Sequence, residues 1–239
     1  MRVIAITQAR MGSTRLPAKI MRPLLGAPML VHHLRRLGLA KRLDGLVVAT
    51  TDDPGSAPIV DLCGRLGIAC FRGSETDVLA RFHGAAEMMR ADLVVRVTSD
   101  CPLLDPVLID AAIERVQDGD ADYASVDIGS YPRGCDAEAF RRRALDDAFA
   151  EAADPGEREH VTPFIYRRPE RYRLASIGGG EGAEYRFCVD EEADFRLVEK
   201  LAPALAARGE AWGWRDCVAL LRAHPDWAAL NRAVAQKHA

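Results

Sequence analysis

Apolar residues come in short continuous runs, separated by stretches that repeat with helical period. Val3, Ile4, Ala5 and Ile6 form the first run, which predicts a buried strand covered on both faces, as in a parallel sheet. Residues 28–40 place Leu30, Leu34 and Leu37 on one helical face. Strand-like runs recur at 45–50, 67–71 and 91–97, with helical stretches at 56–66 and 76–90 between them. Pro58 fits the first turn of the second helix. Asp105 caps a further helix with Pro106 at its first position, running to Gln117, and 122–126 predicts a fifth strand. This β-α alternation predicts an α/β fold, a doubly wound, mostly parallel (mixed) sheet with helices on both faces.

After Val126 the alternation weakens. Residues 129–140 read as turn and short strand, 141–152 and 157–167 as helices, and 171–177 and 184–189 as strands. Gly178 to Gly182 is a flexible turn, not a phosphate cradle, because no helix start follows it. A long helix over 191–208 carries Leu197, Leu201 and Leu205 on one face, and short helices are expected over 216–221 and 225–235. No internal repeat or linker interrupts the chain, so 1–239 is expected to be a single domain.

Composition narrows the class. The chain has 239 residues, 49% hydrophobic and 28% charged, enough to bury a full core and too apolar for disorder. A net charge of −3 argues against a nucleic-acid partner. No apolar run reaches membrane-spanning length and no secretion signal precedes the first strand, so the expectation is a cytoplasmic protein with no membrane partner. The six cysteines include no C-x-x-C pair, which gives no support for a zinc site or a disulfide; Cys70 and Cys188 read as small buried hydrophobes and Cys101 as packing. His32, His33, His83, His224 and His238 lack partners at ligand spacing and read as surface or capping residues. Trp212, Trp214 and Trp227 read as core or interface anchors.

The candidate chemistry begins right after the first strand. Gln8, Ala9, Arg10, Gly12, Ser13, Thr14, Arg15, Pro17 and Lys19 combine three cations, two hydroxyls and a glycine, with no acid among them. That mix suits a polyphosphate, and loops beyond the carboxyl ends of strands are where open α/β sheets bind ligands. A solvated basic loop is the alternative. The segment is neither G-x-x-x-x-G-K-[ST] nor G-x-G-x-x-G. Asp100 and Asp190 each follow a strand-like run, where a metal ligand or a helix cap would stand; ninety residues apart, their spacing does not pair them. Arg72, Gly73, Ser74 and Asp77 follow the third strand, as a loop whose backbone can reach a base edge, as an ordinary cap with Ser74 at the N-cap and Asp77 three residues on, or as both at once. Glu157 suits a helix N-terminus, which leaves Arg158 and His160 as the functional candidates there.

The stretch Gln8 to Lys19 resembles the N-terminal signature of the CMP-sugar synthetases, in particular the branch of spore-coat polysaccharide biosynthesis protein F. Ala18 stands where that signature has Gly. The resemblance continues through Val47 to Pro54, Phe71 to Phe82, Val95 to Pro106, Tyr131 to Glu138, Glu157 to Pro163 and Val189 to Phe195, in family order. Ser99 replaces a usual Gly, and Cys135 and Ala137 vary from the commoner G-L-D-V-E.

The resemblance implies a Rossmann-like nucleotide-diphospho-sugar transferase architecture and a Mg²⁺-dependent cytidylyltransferase that joins CMP from CTP to a 2-keto sugar acid. It implies that Arg10, Arg15 and Lys19 act on the triphosphate. Gln8, Ala9, Gly12, Ser13, Arg72, Gly73, Ser74, Asp77, Thr98 and Asp100 would contact the nucleotide. Tyr131, Gly134, Asp136, Glu138, Arg158 and His160 would lie on the sugar side, with Asp100 and Asp190 as Mg²⁺ ligands. Residues 129–177 would close over the sugar and join a homodimer. A nucleotide-sugar glycosyltransferase would need a D-x-D after an early strand; Asp120-Ala121-Asp122 instead precedes one. A non-catalytic nucleotide binder fits poorly with Lys19, Asp100 and Asp190 all present.

Overall fold

A computed structural model describes residues 1–13 and 15–235; Thr14 and His238 lie outside them. In chain order the elements are β1 (Val3–Gln8), β2 (Pro23–Leu24), β3 (Ala27–Pro28), α1 (Met29–Leu37), β4 (Gly45–Thr51), α2 (Ala57–Leu66), β5 (Ala69–Gly73), α3 (Val78–Met88), β6 (Leu93–Thr98) and α4 (Pro106–Gln117). Then come β7 (Tyr123–Val126), β8 (Glu138–Arg141), α5 (Arg142–Glu151), α6 (Pro155–His160), α7 (Pro163–Tyr166), β9 (Leu174–Ile177), α8 (Glu192–Ala206), α9 (Trp214–Ala223) and α10 (Pro225–Ala228).

Seven strands form one sheet in the order β5-β4-β1-β6-β8-β7-β9, and only β8 runs antiparallel to its neighbours. β1 is interior, paired in parallel with β4 on one side and β6 on the other. Its side chains alternate between faces. Val3 and Ala5 join the core under α1, α2, α4 and α8, while Ile4 and Ile6 join the core under α3, α5 and α7. Burial on both faces explains why β1 reads as an unbroken apolar run and not an alternating one. The chain leaves β1 for β4 and later returns to β6 on the opposite side, which makes a topological switch point between β1 and β6. Gln8 and Thr98 sit opposite each other at the carboxyl ends of that pair.

The sequence reading differs from the structure in four places. The helix expected over 157–167 breaks into α6 and α7, because Val161 stands at φ +71, a costly state for a β-branched residue. The strand expected over 184–189 joins no ladder; its one sheet-like contact is an isolated bridge between Arg186 and Arg133. The last helix ends at Ala228, well short of residue 235. The small hairpin of β2 and β3, turned by Leu25 and Gly26 at positive φ, went unpredicted. No helix among the described residues is long and apolar enough to cross a membrane. All six cysteines are free thiols.

Candidate active site

The loop after β1 turns back on itself, with the Ser13 and Ala18 amides both donating to the Met11 carbonyl. Ala18 stands at φ +53, the left-handed region, which explains why a glycine suits this position. The turn delivers Lys19 into the sheet's carboxyl edge. Its Nζ lies 2.9 Å from Asp100 Oδ2, 2.9 Å from Asp190 Oδ1 and 2.7 Å from the Val189 carbonyl. Folding therefore brings together the two acids that sequence spacing leaves unpaired. Burial alone would lower the Lys19 pKa, but Asp100 and Asp190 outweigh it and hold it above the ordinary value. Burial would likewise raise both carboxyls, and Lys19 keeps each below its usual range, so all three stay ionised. Arg15 adds a second cation 3.2 Å from Asp190.

A cavity of about 510 Å³ opens over this cluster, lined by Gln8 through Ser13 on one side and by Glu75, Thr76 and Arg81 from the α3 end. Arg10 faces it without a hydrogen-bond or ion-pair partner among the described residues. Arg81 is 2% exposed, donates to the Ser74 and Glu75 carbonyls, and leaves its Nε unpartnered. Burial, then repulsion from Arg10, holds the Arg81 guanidinium below its ordinary pKa. Two cations that repel each other across a cavity form a receptor for an anion. Arg81 was missed in the sequence because it sits inside a helix that reads as ordinary.

A second cavity of about 760 Å³ continues from the first toward β7 and β9. Gln8, Arg15, Thr98, Asp100, His160 and Asp190 line both. Its floor is an ordered polar network. Glu138 binds Arg96, and its Oε1 accepts from Tyr123 Oη at 2.5 Å and from Thr162 Oγ1 at 2.7 Å. Glu138, expected on the sugar side, does line this cavity, with Oε2 on Arg96 and Oε1 on Tyr123 and Thr162. Arg133 pairs with Asp136 at 3.1 Å, and burial holds the Asp136 carboxyl above its usual range. The Nε atoms of Arg96 and Arg133 are buried without partners. The signal for Arg96 was available: a lone Arg in the apolar run Val94 to Val97 has to face something polar. The break at Val161 leaves His160 facing both cavities while Thr162 reaches Glu138.

Seven expected residues line neither cavity. Arg72 donates to the Asp52 carbonyl, and Gly73 packs on Arg81 and Phe71. Asp77, not Ser74, is the N-cap of α3, accepting from the Ala80 amide; Ser74 Oγ accepts from the Asp77 amide instead. Arg158 directs its fork onto Asp77, at 2.9 and 2.6 Å, and so clamps α6 to α3. Tyr131 is buried edge-on against Trp214. Gly134 holds φ +102, and a Cβ there would lie 2.7 Å from the Cys188 amide nitrogen, so it shapes the wall behind the second cavity.

His33 corrects the surface reading of the histidines, since it is fully buried. Its Nδ1 lies 2.9 Å from the Cys101 carbonyl, which only accepts, so Nε2 accepts from Thr7 Oγ1 at 2.8 Å. Burial pushes its pKa down to about 4. An unfolded chain would take up the proton near 6.5, so native stability is full above that value and is lost as pH falls toward 4. The melting temperature should therefore drop between pH 7 and pH 4.5, by the equivalent of roughly 2–4 kcal/mol, and less steeply in His33→Gln. Identical slopes in the two proteins would remove His33 from this role.

The carboxylate pair suits a hard divalent cation. Two oxygens already converge on one cationic atom, and Lys19 has a stem long enough to turn toward a phosphate. Among the described residues no group of three or more His, Cys, Asp or Glu converges. Two carboxylates completed by phosphate oxygens and water is the usual Mg²⁺ arrangement.

A sheet with a switch-point crevice and two confluent cavities, one cationic and one polar, defines a nucleotide-handling transferase. The Cytidylyltransferase family profile matches residues 4–211, and the chain belongs to that family of nucleotidyltransferases. It is 33% identical to the spore coat polysaccharide biosynthesis protein SpsF of Bacillus subtilis over 240 residues, covering 97% of this chain and 98% of that one. It is 38% identical to an uncharacterized protein of Methanocaldococcus jannaschii over 207 residues, 84% of this chain and 83% of the relative. A cytidylyltransferase structure from Leptospira borgpetersenii superposes over the whole of both chains with a TM-score of 0.89 at 26% identity.

Proposed function

We propose that this chain transfers CMP from CTP to a sugar acid, releasing pyrophosphate, with Mg²⁺ as its metal and cell-surface polysaccharide as the destination of the product. The observation that carries the reading is the confluence of the two cavities at Asp100 and Asp190, the pair that Lys19 bridges. The cationic cavity suits the triphosphate, with Arg10, Arg81 and the backbone of residues 8–13 around it. The second cavity suits the sugar, with Arg96 and Arg133 as cations for its carboxylate and His160 as a hydrogen-bond partner. The sugar's anomeric hydroxyl attacks the α-phosphorus in line and gives up its proton to water, the bond from the α-phosphorus to the α–β bridging oxygen breaks, and pyrophosphate leaves with the electron pair. Arg10, Arg15 and Lys19 hold the phosphates and offset the charge on the leaving group. Asp100 and Asp190 would hold the Mg²⁺, which when bound neutralises phosphate oxygens and acidifies a nearby hydroxyl. Most of the remaining work is positioning. Residues 129–177 supply much of the acceptor wall and, on this reading, the contact with a second copy, which light scattering would detect as a dimer.

The test is pyrophosphate release from CTP with a panel of 2-keto sugar acids and neutral aldoses. Release with a sugar acid is the expected result; release only with aldoses, or none with any acceptor, would refute the reading. On the acceptor side, His160→Ala should raise the sugar KM by up to about tenfold, the worth of one hydrogen bond, with CTP affinity little changed. A fall in CTP affinity alone would move His160 to the nucleotide site.

A further inference from the structure

Asp190 is held by a network that ends outside the region matched by the family. Its Oδ1 meets Lys19 and its Oδ2 meets Arg186. Its backbone amide donates to Asp194 Oδ2 at 2.9 Å, as does the Glu191 amide at 3.0 Å. The Asp194 side chain is fully buried, and its Oδ1 accepts from Arg186 Nε at 3.0 Å. The same Oδ1 accepts from Asn231 Nδ2 at 2.8 Å, and Asn231 Nδ2 also donates to the Arg186 carbonyl at 3.0 Å. Asn231 is 6% exposed and lies past α10, beyond residue 211, where the family match ends.

We infer that Asn231 is a positioning residue, and that through it the C-terminal segment fixes the aim of Asp190 in the reaction. One amide group satisfies two acceptors, a buried carboxylate and a backbone carbonyl. Both belong to the residues that orient Asp190. Without that donor, Asp194 Oδ1 keeps only the Arg186 contact among the bonds described, and the Arg186 carbonyl loses this partner. Burial makes each lost bond matter, because water does not readily replace it. The rest of the segment is anchored as well. Arg36 donates to the Glu210 and Trp212 carbonyls, and the Trp214 amide donates to Asp105, the cap of α4. The tail is therefore held at both ends of its path, and Asn231 is the contact that reaches the site. Partners that orient ligating carboxylates typically cost 10–100-fold when removed.

The inference rests on the proposed role of Asp190, and the experiment separates the two. Asn231→Leu keeps the approximate volume and loses the donor; Asn231→Gln keeps an amide; Arg232→Ala is the neighbouring control. Turnover, CTP KM, thermal melts and direct Mn²⁺ binding in the presence of CTP (by electron paramagnetic resonance) are measured for each, beside Asp190→Asn. Asn231→Leu should lower kcat roughly tenfold and weaken Mn²⁺ binding, with CTP KM within about twofold, and Asn231→Gln should recover part of both. Arg232→Ala should match the wild type. A purely structural role would lower the melting temperature and leave kcat per folded molecule and Mn²⁺ binding unchanged, which would overturn the inference. If Asn231→Leu does not fold, Asn231→Ala, which also loses the donor, carries the test: wild-type kcat with wild-type Mn²⁺ binding and a lowered melting temperature would overturn it. Normal activity in Asp190→Asn would instead overturn the reading of the site itself.

Discussion

Asp100→Asn and Asp190→Asn should each lower turnover by more than about 100-fold, beyond the 10–100-fold typical of residues that only orient a ligand. Each substitution keeps the shape and removes the charge that a hard cation needs. The structure sharpens the expectation. The two carboxylates share one ammonium at 2.9 Å each, so either change also takes from Lys19 one of its two counter-charges. If Asp100 merely capped the turn after β6, Asn would serve nearly as well and the change would be close to silent. Asp194→Asn is a useful comparison. Its NH₂ would replace either Oδ2, which accepts from the Asp190 and Glu191 amides, or Oδ1, which accepts from Arg186 and Asn231, so it should cost stability as well as rate. The measurement is turnover against Mg²⁺ concentration, with melts to confirm folding. Near-normal activity in one aspartate variant removes that residue from the site, and near-normal activity in both rejects the carboxylate pair.

Lys19→Ala should reduce CTP binding and turnover by roughly 10- to 100-fold, the worth of about 1.5–3 kcal/mol for a charge-assisted contact. Arg22→Ala should have little effect on either. Only two residues separate them in sequence, yet their surroundings differ. Lys19 is largely buried between two acids, whereas Arg22 pairs with the exposed Glu192 and stacks 4.0 Å over the Phe195 ring. Arg22 lines neither cavity, and a surface pair of this kind contributes at most about 1 kcal/mol to stability. Equal losses of turnover in the two variants would contradict the assignment of Lys19.

The sequence carried most of the sheet and part of the site, for identifiable reasons. β1, β4 and β6 are buried on both faces, so each announces itself as a local apolar run. The loop after β1 is a local cluster of charge and was legible too. The pairing of Asp100 with Asp190 was not, since it depends on β6 and the segment before α8 meeting in space; only the family resemblance joined them. Residues 184–189 read as a strand because they carry strand-like residues, but their burial comes from Arg133 and the C-terminal segment, not from a ladder. Asp77 and Arg158 are expected at the ligands only through the family resemblance; that they pair with each other depends on α6 meeting the start of α3 in space, which sequence spacing does not reveal. Arg81 escaped notice and His33 read as a surface or capping residue because each is a polar residue on an ordinary helix, and only the fold shows what it faces.

On the proposed reaction a sugar hydroxyl displaces pyrophosphate from CTP where the two cavities meet, and the oxygen of that hydroxyl can be followed. The acceptor found in the panel is labelled with ¹⁸O at its anomeric hydroxyl and incubated with the enzyme, CTP and Mg²⁺. The label should remain in the CMP-sugar product at the enrichment of the unreacted acceptor, with unlabelled pyrophosphate released in equal amount. CMP formed without a sugar adduct, or an adduct carrying less label than the unreacted acceptor, would rule this reaction out.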